Sequence, residues 1–371
     1  MSTPVVSLFS GCGGLDLGFA HEEFDTVLAL DINAAAVETY NHNRRKTVAR
    51  VANLAEVDGD AIIRMIEEQG IESPKGIIGG APCQTFSKGN VHVKSNDIRH
   101  TLPEKFAAIL KTLNGLYDLD FFVFENVKGI TFKKHKETFV GFKELFEDAG
   151  FVLYEGLLDA HDFDVPQKRP RVFVVGFNKS RYSKTSIFHF PPPLWNTNRT
   201  VASAIDGLPT PVFFSRSLTP ENIAYHPNHW TMRPKSKKFD NGYLQEGQSK
   251  GRSFRVLSWS SPSWTVAYGH REIHIHPTGT RRLSVYEAMR LQGFPETYQL
   301  RGNFGEQVTQ VSDAVPPPLA MFLARSIRQF LSDNQAAPTV HVQLSLIPDE
   351  SRRGQFSDTF DEIERCATVA G

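Results

Sequence analysis

One cysteine in this 371-residue chain stands where a thiol could act as a nucleophile. Gly79-Gly80-Ala81-Pro82-Cys83-Gln84-Thr85-Phe86-Ser87 follows a short apolar run. That order places Cys83 at the carboxyl edge of a strand, where open α/β sheets bind their ligands. A free thiol has a pKa near ~8.5 and needs a local environment to become a thiolate. Cys12 and Cys366 have no such setting and read as structural. Glu125 closes a second apolar run, Phe121-Phe122-Val123-Phe124, and is followed by Asn126-Val127. A carboxyl there is partly desolvated, which raises its pKa and lets it donate a hydrogen bond. In Gln167-Lys168-Arg169-Pro170-Arg171 the two arginines stand two apart, so on a strand they share a face that suits an anion. A solvated strand-end glutamate and an ordinary basic strand end are the bland alternatives. A fourth feature, Phe9-Ser10-Gly11-Cys12-Gly13-Gly14, lets the backbone turn sharply between a strand and a helix. Asp31 ends the next apolar run, where a carboxylate can accept both hydroxyls of a ribose. Asp at position 16 breaks the Gly-x-Gly-x-x-Gly spacing, which points away from a dinucleotide and toward another adenosine-type cofactor. A tight turn with no ligand is the alternative.

The elements that must position these residues are legible up to about residue 177. Val5 to Phe9, Thr26 to Leu30, Gly76 to Ile78, Phe121 to Phe124 and Arg171 to Phe177 are strand-like runs. Ala61-Ile62-Met65-Ile66 and Phe106-Ile109-Leu110-Leu113 have helical spacing. Strands alternating with helices predict an α/β fold with a doubly wound, mostly parallel sheet. Beyond Pro191-Pro192-Pro193 the chain is rich in Trp, His, Ser, Asn and Arg and loses its periodicity. The last forty residues are acidic and polar, as a tail with one short helix near Asp361 to Cys366.

Forty-one Lys+Arg balance 41 Asp+Glu over the whole chain, yet the charge is unevenly placed. Residues 1 to 177 carry 19 basic and 25 acidic side chains, whereas 178 to 280 carry 13 and 5. A basic module is thus set into an acidic body. Three cysteines exclude a disulfide framework and fit a reducing compartment. No apolar run of about 18 residues exists to span a membrane. The N-terminus also lacks the pattern of a secretory signal. A cytoplasmic protein is expected.

In their order, these motifs resemble the DNA (cytosine-5)-methyltransferase family over residues 4 to about 330. Besides those quoted, the series includes Asp97-Ile98-Arg99 with Leu102, then Arg281-Arg282-Leu283-Ser284 and Glu287. It closes with Gln292-Gly293-Phe294-Pro295 and Ala314-Val315-Pro316-Pro317. The resemblance implies an S-adenosylmethionine-dependent methyltransferase fold with a smaller, irregular target-recognition domain inserted. Residues 1–187 and 305–332 would form the catalytic domain, 188–280 the recognition domain, 281–304 a hinge and 333–371 the acidic tail. S-adenosylmethionine would be the cofactor, with Phe9 facing the adenine, Ser10 to Gly14 forming the turn, Asp31 at the ribose and Ile32 also in contact. Asn53 and Leu54 would lie at the adenine edge, and Pro82, Leu102, Asp313 and Ala314 would complete the set. The family usually has Asp where Asn53 stands, so a weaker or rearranged hydrogen bond is expected there. Tyr286 replaces the usual Arg, and Ser312-Asp313 replaces Gly-Asn. Neither of these two is expected to touch the chemistry.

The implied catalytic residues are Cys83, Gln84, Glu125, Asn126, Arg169 and Arg171. Cys83 would attack carbon 6 of a flipped-out cytosine, Glu125 would hold ring nitrogen 3 and the amine, and Arg169 would orient the base. The implied DNA contacts are Ser87, Arg99, His229, Arg233, Lys235, Lys237, Lys238, Arg252 and Arg255. The basic charge of the module then has a reason, since cations gain affinity by releasing counterions from phosphates. Trp259, Trp264 and Tyr268 are expected in a core, and His270, His274 and His276 are not expected to hold a metal. Double-stranded DNA is the expected partner, with a monomeric enzyme of bacterial or phage modification type and a companion restriction endonuclease. A tRNA cytosine-5 methyltransferase is the alternative on the same fold. Its usual Cys-Phe-Thr segment is absent, since no cysteine lies between Cys83 and Cys366. A non-catalytic nucleic-acid-binding module is a third reading, disfavoured by the presence of Cys83, Glu125 and Arg169.

Overall fold

Seven strands form one sheet in the order β3-β2-β1-β4-β5-β8-β6. The computed structural model describes residues 2–71, 73–81, 101–182, 186–195, 198–240, 242–249, 254–265 and 274–334. The strands are β1 (Thr3–Leu8), β2 (Phe24–Asp31), β3 (Ala49–Val51), β4 (Gly76–Gly79), β5 (Phe121–Val127), β6 (Phe151–Asp159) and β8 (Pro170–Asn178). The first five pair in parallel; β8 pairs antiparallel with β5, and β6 antiparallel with β8, so only β8 runs against the rest of this sheet. Parallel strands covered on both sides must be apolar on both sides. Along β5 the side chains alternate, and both sets are buried. Phe122 and Phe124 pack with Phe106, Leu110 and Phe146, while Phe121 and Val123 pack with Phe19, Leu319 and Leu323. The first face is covered by α3 (Gly59–Glu68), α4 (Leu102–Tyr117) and α5 (Lys136–Asp148). The second is covered by α1 (Gly14–His21) and α9 (Pro317–Asp333). A further helix, α2 (Ala34–His42), follows β2 and is capped by the Asn33 side chain, which accepts from the Ala35 and Ala36 amides.

Strand order reverses between β1 and β4. Chain from β1 runs outward to β2 on one side, and β4 continues to β5 on the other. Such a switch point opens a crevice at the carboxyl ends of the strands. The glycine turn after β1 and the Gly80-Ala81 exit from β4 flank that crevice.

The remaining described elements are shorter: β7 (Gln167–Lys168), α6 (Val201–Ile205), β9 (Val212–Phe213), β10 (Trp230–Thr231), β11 (Ser263–Trp264), α7 (Val285–Leu291) and α8 (Phe304–Asp313). Val201, Ile205, Trp230 and Leu257 share a core with Met289, Tyr298, Phe304 and Val308, and Cys12 of the glycine turn belongs to it too. Trp259 and Trp264 pack against this core as expected, while Tyr268 lies outside the described residues. α7 is set by a capping box in which Ser284 and Glu287 satisfy each other's amides. Arg281 then holds the Glu287 carboxylate with two bonds of 2.8 Å.

Candidate active site

The glycine turn is fastened by a carboxylate rather than left free. Asp31 accepts from the Gly11 amide through one oxygen and from the Asn33 amide through the other, both at 2.8 Å. The turn's Gly11 amide is therefore committed to Asp31, which leaves it unavailable to a phosphate. Gly11 and Gly13 take positive φ of 52° and 83°, and Phe9 takes 55°. A Cβ on Gly11 would meet nothing within 4 Å, so the turn borders open space. Gly14 and Gly18 are close-packed instead. A Cβ on Gly14 would come within 2.4 Å of the Val315 carbonyl, and one on Gly18 equally close to Ala320. Glycines here let α1 lie directly against the start of α9.

Beneath the turn, Asp16 is fully buried and accepts from three hydroxyls: Ser7 at 3.0 Å, Thr26 at 2.9 Å and Tyr40 at 2.8 Å. The residue that breaks the dinucleotide spacing thus ties together β1, β2 and α2. Nothing in the local sequence announces this network, because its donors come from three separate elements.

Ile32 and Val51 are exposed on the same side, at the ends of β2 and β3, with 66% and 58% of their surface accessible. Asp313, at the end of α8, is accessible to solvent yet closely surrounded by protein, as on the wall of a cleft. Burial raises the carboxyls of both Asp31 and Asp313, and Asp31 raises Asp313 further. Apolar faces, two carboxylates and a committed turn fit an adenosine with hydroxyls and cationic groups better than a polyphosphate. Leu54 and Leu102 are turned into the central core. Asn53 uses both ends locally: its carbonyl accepts from the Ala55 amide at 3.1 Å and its amide donates to Glu56 at 2.8 Å. Ser10 and Ala314 sit at the two ends of the cleft-side backbone, after β1 and after α8. The Cys12 side chain points away from the cleft, with its thiol against the Gln310 carbonyl at 3.6 Å. Burial pushes that thiol far above its ordinary range, in keeping with a structural cysteine.

Glu125 is the centre of the second group. Its carboxylate meets Arg171 Nε at 2.9 Å. Burial raises its pKa, opposed by the charges of Arg171 and Arg169. Gly80 makes room for it, since a Cβ there would approach Glu125 Oε2 to 2.5 Å. The neighbouring Asn126 is buried, accepts from the Val127 amide at 2.8 Å and donates to the Ala81 carbonyl at 3.4 Å. Glu125 and Asn126 thus grip the two residues that precede Pro82. Pro82, Cys83, Gln84, Ser87, Arg99 and Arg252 lie outside the described residues, as does His270.

Arg169 is fully buried. Its amide donates to Asp159 at 2.7 Å and its Nη2 to the Ser312 carbonyl at 2.6 Å. Ser312 supplies the carbonyl that holds Arg169, and Asp313 is a charge near both arginines. Gln167 is also fully buried, and β7, which contains it, pairs in parallel with β11, bringing Ser263 opposite Gln167. Thr265 adds a bond from its hydroxyl to the Lys168 carbonyl at 2.6 Å.

In the basic module Arg233, Lys235, Lys237 and Lys238 are exposed. Arg233 lies over the Phe213 ring at 4.9 Å, and Lys238 over Phe254 at 4.5 Å. Arg255 is half-buried over Trp264. His229 is a correction. It is 1% exposed, with its ring held between the Ser284 hydroxyl at 2.9 Å and the Pro209 carbonyl at 2.7 Å. A side chain so enclosed packs the module and has no surface for DNA. Tyr286, the other departure, is buried and stacks on His226 with ring centres 4.0 Å apart. No cluster of metal-ligating residues occurs among the described residues. Among those residues no helix is long and apolar enough to cross a membrane.

Comparison with known proteins agrees with this geometry. The family described as C-5 cytosine-specific DNA methylase matches residues 3–329. The Type II methyltransferase M.FnuDI of Fusobacterium nucleatum is 31% identical, covering 89% of this chain and 96% of its own. M.MthTI of Methanothermobacter thermautotrophicus, also a Type II methyltransferase, is 31% identical over 89% and 98% of the two chains. Among solved structures, a putative DNA modification methyltransferase encoded within a prophage of E. coli superposes with a TM-score of 0.70 at 24% identity, covering 89% of this chain and all of its own. The S. pombe Dnmt2 methyltransferase superposes with a TM-score of 0.59 at 17% identity, covering 90% of this chain and 99% of its own.

Proposed function

Because the chain belongs to the C-5 cytosine-specific DNA methylase family, we propose that it methylates carbon 5 of a cytosine within a specific double-stranded DNA sequence. The reading extends to a Type II modification enzyme that acts as a monomer in the cytoplasm and protects DNA from a companion endonuclease. S-adenosylmethionine, when bound, supplies the methyl group. Asp31 would hold the ribose, Ile32 and Phe9 would enclose the adenine, and Asp313 would face the cationic tail.

The observation that carries the reading is the largely enclosed Glu125 carboxylate, paired with Arg171 at 2.9 Å, its pKa raised by burial against the opposing charges of Arg171 and Arg169. Carbon 5 of cytosine is a weak nucleophile, so electrons must first be pushed into the ring. The Cys83 thiolate would add to carbon 6, forming a sulfur–carbon bond and leaving carbon 5 electron-rich. Glu125, in its protonated form, would donate to ring nitrogen 3 and accept from the exocyclic amine. Arg169 would orient the base through its carbonyl oxygen, and Arg171 would keep Glu125 in place. After methyl transfer, a water takes the proton from carbon 5 and the sulfur–carbon bond breaks, returning the thiolate. A stacked base cannot reach such a pocket, so the cytosine must flip out, at a cost of a few kcal/mol.

Residues 188–280 are proposed as the recognition domain, 281–304 as the hinge, and 1–187 with 305–332 as the catalytic domain, followed by the tail. The test is direct. Labelled cofactor with duplex DNA should give labelled 5-methylcytosine, and Cys83→Ala should abolish it while retaining cofactor binding. Turnover by Cys83→Ala would overturn the mechanism, and labelling of tRNA instead of DNA would overturn the substrate. Mapping 5-methylcytosine in a host genome that expresses the gene reads out the recognition sequence.

A further inference from the structure

The glycine turn is held from behind by a residue that lies more than 280 positions later in the chain. Tyr298, 5% exposed, donates its hydroxyl to the backbone carbonyl of Cys12. The same hydroxyl would stand 3.4 Å from a Cβ on Gly13, and the Tyr40 ring would stand 2.9 Å from it on another side. Gly13, at φ 83°, therefore sits in a slot between two tyrosines, with its own amide bonded to the Ser10 carbonyl at 2.9 Å. The Cys12–Gly13 peptide has no freedom to turn its carbonyl toward the cleft while Tyr298 is in place.

Tyr298 is in turn fixed by the basic module. Two residues further on, the Leu300 backbone makes a double bond pattern with the Asn228 side chain: Asn228 Nδ2 donates to the Leu300 carbonyl at 2.9 Å, and the Leu300 amide donates to Asn228 Oδ1 at 2.8 Å. Asn228 is 1% exposed and also reaches Gln307, which receives the Trp230 indole N–H at 3.1 Å. Buried hydrogen bonds at Leu300 and at Tyr298, joined by the backbone of residues 298–300, thus connect the module to the glycine turn.

We infer that Tyr298 is a positioning residue for the cofactor turn, and that Asn228 extends its support into the recognition module. The inference rests on the reading of that turn as the place where S-adenosylmethionine binds. Tyr298 touches no ligand itself; it holds the Cys12–Gly13 peptide in the orientation that leaves the surface over Gly11 open. Without its donor the buried carbonyl must find another partner, and the turn relaxes.

Calorimetric titration of S-adenosylmethionine into the free full-length protein tests this. Tyr298→Phe, which removes one hydroxyl and no packing, should weaken binding roughly tenfold, the scale expected when a buried carbonyl loses its partner. Its KM for the cofactor should rise in parallel, with kcat at saturation within twofold. Asn228→Ala should weaken binding in the same direction, about threefold, by loosening Leu300. Tyr154→Phe is the comparison, because Tyr154 also donates to a backbone carbonyl, that of Ser186 at 2.6 Å, far along the chain from the turn. It should lower the unfolding temperature without changing cofactor affinity. If Tyr298→Phe behaves like Tyr154→Phe, the role assigned to Tyr298 is wrong. An effect of Tyr298→Phe with none of Asn228→Ala would overturn the part given to the module. If the wild-type protein binds no S-adenosylmethionine, the reading of the turn fails first, and this inference with it.

Discussion

Arg169 Nη2 donates to the backbone carbonyl of Ser312, 2.6 Å away, joining the entry of β8 to the end of α8. A backbone carbonyl is offered by any residue type, so Ser in place of Gly at position 312 leaves this bond intact. What the departure adds is the carboxylate of Asp313 beside two arginines that already serve Glu125.

Arg171 is the partner on which Glu125 depends. Removing one member of a buried ion pair leaves the other charge uncompensated and costs about 3–5 kcal/mol. Arg171→Ala should therefore lower the urea midpoint strongly and reduce methylation, whereas Arg171→Lys should lie between it and the wild type. Equal midpoints for Arg171→Ala and the wild type would show that the pair at 2.9 Å contributes nothing.

Two helical glycines should respond to alanine with opposite signs. At Gly18 a Cβ would come within 2.4 Å of Ala320 and 2.5 Å of backbone in α9, so Gly18→Ala should destabilise by about 1–3 kcal/mol through overpacking. At Gly115, inside α4, a Cβ would meet nothing within 4 Å. Gly115→Ala should stabilise by roughly 0.4–1 kcal/mol by restricting the unfolded chain. Thermal unfolding of both variants checks the pair.

Burial holds His226, His274 and His276 neutral, each with its pKa lowered from 6.5 to about 4. Between those values the unfolded chain binds these protons and the folded chain does not. Stability from this source is therefore full above pH 6.5 and falls as the pH drops toward 4. Each histidine steepens the slope by at most about 1.4 kcal/mol per pH unit. Urea midpoints at pH 7 and pH 5 should differ accordingly, and His226→Gln should flatten the difference. A pH-independent midpoint over this range would contradict the burial of the imidazoles.

Lys235, Lys237 and Lys238 are exposed on the basic module. If they meet phosphates, each contributes a slope of about −0.9 to log K against log salt. Reversing all three to Glu should weaken DNA binding across sequences and make the salt slope shallower by up to roughly 3. Unchanged affinity and slope would place the DNA elsewhere on the protein.

Much of this was legible from the residues. Long apolar runs such as Phe121 to Phe124 specify a buried strand because both alternating sets must face helices. Asp31 ends β2 as its apolar run suggests, whereas β5 continues two residues past Glu125. Two strands of the sheet were not read. β3 is three residues long, too short for a period, and β6 (FVLYEGLLD) interleaves Glu155 and Gly156 with its apolar residues. The site's supports were hidden for a different reason. Asp16 gathers hydroxyls from β1, β2 and α2, and Arg169 is held by a carbonyl 143 positions away. Such contacts have no local signature, since they depend on which elements the fold brings together. His229 illustrates the opposite error: in HPNHW it reads as polar and basic, but it fills the interior of the module.

The pairing of Ser263-Trp264 with Gln167-Lys168 ties the basic, irregular part of the chain to the residues just before Arg169. Among the described residues, the Thr265 hydroxyl donates to the Lys168 carbonyl, next to Arg169 in the chain. Within residues 198–262, divergence is limited by Asn228, His229 and Trp230, whose side chains are bonded to Leu300, Ser284 and Gln307. Under the proposed function, selection for a new target sequence would act on the exposed residues of this span, with those buried anchors kept.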